Sequence, residues 1–122
     1  MALVLAHRIG NYIDIAIDGG LCGIIKVNSF SKDLTNASFD YERTNRLGGT
    51  MGTHHYDISK TQSAFPFRDL YPEEFSREHT LEIFLSNGQR VDSNRIRFAY
   101  RASNEVKIQR RDATKKEIEV QK

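Results

Sequence analysis

A two-residue rhythm constrains this chain more than any other feature. Between Tyr12 and Asp18, Ile13, Ile15 and Ile17 alternate with Asp14, Ala16 and Asp18. Successive side chains of an extended strand point to opposite faces, so this pattern buries one face and wets the other. A helix would scatter the same residues around its circumference. Leu3, Leu5 and Ile9 alternate with Val4, Ala6 and Arg8, giving a strand with apolar residues on both faces. Leu81, Ile83 and Leu85 alternate with Glu82 and Phe84, and Ile96, Phe98 and Tyr100 with Arg95, Arg97 and Arg101. Ile24, Ile25 and Val27, and later Val106 and Ile108, suggest two further strands. Gly10-Asn11 and Gly19-Gly20 punctuate the first three. Ser86-Asn87-Gly88-Gln89 carries the Asn-Gly pair of a type I′ hairpin turn. A mainly β fold follows, with a helix expected from Asp112 onward, where Asp112 and Lys116 form a favourable i,i+4 pair.

The 122 residues fit one domain, 1–122. Its middle, about 31–79, reads differently. It is polar, holds Pro66 and Pro72, and contains Leu47-Gly-Gly-Thr-Met-Gly52. Asn36 to Arg43 suits a strand, and Pro72-Glu-Glu-Phe-Ser suits the opening of a short helix. The rest reads as a long irregular insertion. Its removal, from about residue 33 to 79, is expected to leave the fold intact, because loop length costs little free energy.

Several chemistries find no support. Cys22 is the one cysteine, which excludes an internal disulfide framework and a multi-cysteine zinc site. The apolar run Ala2 to Ala6 is too short for a signal peptide or a membrane span, so no membrane association and a cytoplasmic location are expected. His54-His55 with Asp57 offers no defined ligand spacing, since adjacent strand residues face opposite ways; no metal is expected. Gly48 to Gly52 lacks the Lys-Ser/Thr ending of a phosphate loop, and Gly49-x-x-Gly52 lacks the flanking helices of a KH loop. No catalytic pairing of carboxylates and no Ser/His/Asp arrangement stands out, so neither an enzyme nor a cofactor is expected. Charge, by contrast, is informative. The net charge of +2 hides 8 Lys+Arg against 11 Asp+Glu in residues 1–89, and 10 against 5 in residues 90–122. A basic final third points to an anionic partner, with nucleic acid first.

Read together, the two ends say more. Leu3-Val4-Leu5-Ala6-His7-Arg8-Ile9-Gly10-Asn11-Tyr12-Ile13-Asp14-Ile15 resembles the opening of the carbon storage regulator (CsrA/RsmA) family: an apolar strand, a basic pair, a glycine and a second apolar strand. Arg95-Ile-Arg-Phe-Ala-Tyr-Arg-Ala-Ser-Asn-Glu-Val-Lys-Ile-Gln-Arg-Arg-Asp112 resembles that family's second half, where a strand with a Val-Arg-apolar-Gly core leads into a Val-x-Val-x-Arg strand and a terminal helix. The likeness covers roughly residues 3–28 and 94–120. Ala99 stands where the family has glycine, Ser103 where it has proline, Asn11 where it has glutamate, His7 for the first of the basic pair, and Arg111 for an acid. Either Ile24–Val27 or Leu81–Leu85 would serve as the family's next strand.

The resemblance implies a small CsrA-like sheet fold in an interwoven, strand-exchanged homodimer. It also implies RNA binding without catalysis: GGA motifs in single-stranded loops of an mRNA leader or small RNA are recognised, blocking translation or altering mRNA stability. In that family the first strand of one subunit and the last strand of the other form each RNA site; carried over residue by residue, the site comprises Val4, Leu5, Ala6, His7 and Arg8 of one copy with Ile108, Gln109 and Arg110 of the other. The alternative is a CsrA-like fold repurposed as a protein-interaction module, its partner held by the 31–79 insertion and RNA binding weakened or lost.

Overall fold

The alternating segments form strands. A computed structural model describes residues 3–33, 35–45, 47–59, 65–85 and 95–111. Eight strands occur among them: β1 (Leu3–His7), β2 (Tyr12–Ile17), β3 (Gly20–Phe30), β4 (Asn36–Thr44), β5 (Thr50–Ser59), β6 (Leu81–Leu85), β7 (Ile96–Ala102) and β8 (Val106–Arg111). They build two antiparallel sheets, one ordered β1-β7-β6 and the other β5-β4-β3-β2-β8. The turn at Ser86 to Gln89 and the helix expected from Asp112 lie outside the described residues.

Each sheet turns one face inward. Ile13, Ile15 and Ile17 of β2, Ile25 and Val27 of β3, and Phe39 and Tyr41 of β4 meet Ile83 of β6 and Phe98 and Tyr100 of β7 in one buried cluster. The β2–β3 hairpin closes on Asp18 and Gly19, at φ 51° and φ 83°. Two consecutive residues at positive φ match a two-residue type I′ turn, whose twist suits the flanking strands. Gly23 of β3 is required for a second reason: a Cβ there would lie 2.2 Å from the Tyr41 hydroxyl oxygen. The ring of Tyr41 packs over bare backbone.

The segment 31–79 is not an irregular insertion. It supplies β4, the partner of β3, and β5, the edge strand beyond it. Ala37, Phe39, Tyr41 and Ile58 from these strands, and Phe65, Phe67, Tyr71 and Phe75 after them, are all buried in the common core. Aromatic side chains that would cost free energy if left in water are what fold the segment down. Among its described residues the one helical turn, α1 (Phe67–Leu70), follows Pro66 and so starts earlier than Pro72. Arg43 of β4 ties the region together through ion pairs with Glu73 and Glu74.

Both sheets are assembled within a single chain. β1 pairs with β7, and β2 with β8. Among the described residues the sheets leave four edge strands, β1 and β6 of the smaller and β5 and β8 of the larger.

Candidate nucleic-acid interface

The eight residues expected to contact RNA lie on β1, just after it, and on β8. In β1, Leu3 and Val4 are about half exposed, at 45% and 48%. Leu5 and Ala6 are half-buried and His7 is fully buried. Arg8 is exposed, its backbone N–H donating to Asn11 Oδ1 at 2.8 Å. In β8, Ile108 packs against the core while Gln109 and Arg110 are exposed. Because strand side chains alternate, Arg110 shares a face with Val106 and Ile108, and Gln109 projects from the other side beside Lys107 and Arg111.

The fold brings β1 and β8 together at one point. Arg110 Nη1 donates to the Ala6 carbonyl oxygen at 2.7 Å, across 104 residues of sequence. β1 is an edge strand, paired on one side only, with β7. In an antiparallel ladder alternate residues turn their N–H and carbonyl groups to opposite sides, so every second residue of β1 offers them on the open edge. The result is a corner with an unpaired strand edge on one side and a guanidinium on the other. Arg111, next along, is held back by Asp14: its Nη2 lies 2.6 Å from Oδ1.

His7 stands apart from this group. Its Nε2 pairs with the Tyr100 hydroxyl at 2.7 Å, and its ring meets Phe98 edge-on at 5.3 Å between centroids. Burial, helped by the nearby positive charge of Arg110, pushes its pKa down to about 4. The side chain is neutral at pH 7 and sealed from solvent, so the first basic position of the β1 motif is a packing position. Nothing in the local sequence announces this; the cause is Tyr100, which faces it from β7.

One polar cluster escapes the sequence because it depends on strand pairing. β4–β5 register sets Asp40 opposite His55, with Nδ1 2.9 Å from Asp40 Oδ1, and Asn28 Nδ2 donates to the same oxygen at 2.8 Å. The other ring nitrogen of His55 faces Asp57 at 3.6 Å. A cavity of about 680 Å³ lies alongside, lined by Ser29, Ser38 and Ser59 among others. Ser29 and Ser38 bond each other at 2.7 Å, one hydroxyl donating to the other. Among the described residues, no three His, Cys, Asp or Glu side chains are grouped to hold a metal ion, and no helix is long and apolar enough to cross a membrane.

No protein-family model matches the chain, and neither a curated protein nor a solved structure is similar to it.

Proposed function

We propose that this protein is an RNA-binding post-transcriptional regulator of the carbon storage regulator type, recognising GGA motifs in single-stranded loops at the β1–β8 corner. One observation carries the reading: the Arg110–Ala6 hydrogen bond joins the two segments in which the family likeness resides. Splayed loop bases can be read by backbone donors and acceptors on a free strand edge, and β1 is such an edge. Arg110 can leave a neutral carbonyl for a phosphate, or for the O6 and N7 of guanine, which its planar fork fits better. Arg8 adds a second exposed cation. Leu3, 45% exposed on an edge strand, favours a homodimer in which a second copy covers its side chain and leaves the β1 backbone edge open to RNA.

RNA selection on the purified protein, followed by titration of Arg110→Ala, tests the reading. GGA loops should emerge. Arg110→Ala should lose roughly ten- to hundredfold affinity for them at fixed salt, the range for a lost bidentate contact. Arg77→Ala, on an exposed residue of the 65–79 segment, should lose far less. Equal, small losses would make Arg110 an ordinary surface charge.

A protein-interaction role is the second reading. Leu47, 96% exposed at the β4–β5 hairpin tip, and Met51, 55% exposed, favour it.

A further inference from the structure

The smaller sheet turns an outer face away from the core. Register sets Val4, Ala99 and Phe84 side by side across β1, β7 and β6. On one flank of this apolar stripe Arg97 pairs across from Ala6; on the other, Arg101 stands opposite Glu82. The alternate residues, among them Phe98, Tyr100, Ile83 and Leu85, are buried on the opposite face. Phe84 is half-buried, and the Arg101 guanidinium lies 5.2 Å from its ring centroid. Arg101 also approaches Glu82 at 3.3 Å, but both side chains are exposed, so solvent screens that pair strongly. Among the described residues, no carboxylate pairs with Arg97.

Charge separates this face from its counterpart on the larger sheet. There Asp14, Asp40, Glu42 and Asp57 offset Lys26, Lys107 and Arg111. Here Arg97 and Arg101, with exposed Arg8 at the sheet's end, face Glu82 as the one carboxylate among the described residues. A flat sheet carrying an aromatic ring between cations is the arrangement on which single-stranded nucleic acid stacks its bases and lays its phosphates. The face is also continuous with the β1 edge, since Val4 and Ala6 belong to both.

We propose that the outer face of the β1-β7-β6 sheet binds the single-stranded RNA flanking the recognised loop, one base stacking on Phe84 while Arg97 and Arg101 contact phosphates. This rests on the RNA-binding reading and extends it.

Fluorescence anisotropy on the full chain tests it with three RNAs: a GGA hairpin, the same hairpin with a single-stranded flank of about ten nucleotides, and oligouridine of that length. The flank should tighten wild-type binding. Phe84→Leu should remove about five- to 150-fold of affinity for the flanked RNA, the span of one lost base–aromatic stack, and leave the bare hairpin unaffected. Arg97→Gln, which removes the charge from a half-buried position without touching Phe84 and so tests the face even if Phe84→Leu misfolds, should lower the salt slope on oligouridine by about 0.7. Arg110→Ala should do the reverse, weakening the bare hairpin and sparing oligouridine. If the flank adds nothing, or if Phe84→Leu and Arg97→Gln bind all three RNAs as wild type does, this proposal is wrong while the loop reading stands. Oligouridine bound through Phe84, with no hairpin binding, would uphold this face and sink the loop reading. Failure to bind any RNA, or binding of poly-glutamate instead, overturns both.

Discussion

A buried histidine makes stability depend on acid. The imidazole of His7 takes a proton near pH 6.5 in an unfolded chain but near pH 4 in the folded one, where burial and Arg110 oppose the charge. Between those values the unfolded state binds more protons, so stability is full above pH 6.5 and falls as pH drops toward 4. Below 4 both states are protonated and the loss levels off. The full effect is roughly 3 kcal/mol, at about 1.4 kcal/mol per pH unit of separation. Urea denaturation at a series of pH values should trace this decline, and His7→Phe should flatten it between 6.5 and 4 whatever it does to stability at pH 7. An unchanged slope in that variant would assign the acid response to other groups. The same residue bears on recognition: a neutral, enclosed imidazole leaves Arg8 and Arg110 as the exposed cations of the corner.

At the level of elements, β3 and β4 interlock through one absent side chain. Gly23→Ala drives a methyl group into the Tyr41 ring, with Cζ 2.4 Å and the hydroxyl 2.2 Å away. Overpacking of this kind costs about 1–3 kcal/mol, and a lowered urea midpoint with an unchanged m-value would register it. A larger change follows from excising residues 33–79. That deletion removes β4 and β5 and the buried rings of Phe39, Tyr41, Phe65, Phe67, Tyr71 and Phe75. Far-UV circular dichroism should report an unfolded chain; retained sheet signal would mean that the remaining strands close a core without them. The sequence alone points the other way, and β5 explains why. As an edge strand it places only Ile58 fully in the core along Thr50–Ser59, so it never shows the alternation that reveals β2 or β7. β4 was legible in part, because Phe39 and Tyr41 alternate with Asp40 and Glu42. The Asp18-Gly19 turn was visible as a glycine break, though not as a two-residue hairpin. At the corner, β1 and β8 were legible as strands through their own patterns. Their meeting at Ala6 and Arg110 was not, since no local rhythm encodes a contact across 104 residues. The family likeness named these two strands but placed them in different subunits.

On the scale of the whole molecule, the proposed assembly makes a direct prediction. If a second copy covers Leu3, light scattering at micromolar protein should return about twice the chain mass of 14.0 kDa. Leu3→Lys, which places a charge in that contact, should shift the mass toward one chain. A wild-type mass of one chain would remove the dimer from the proposal. The pairing within a chain carries a further consequence, for synthesis rather than for the finished protein. β1 waits for β7, with His7 opposite Ile96, and β2 waits for β8, with Tyr12 opposite Arg111. A ribosome adding about 5–20 residues per second needs roughly 5–20 s to make the intervening stretch. Through that interval the first two strands have only hairpin partners or strangers to pair with, and an apolar edge such as Leu3–His7 is open to both. The nascent chain is thus exposed to other copies of itself, and to chaperones, before its own far end arrives.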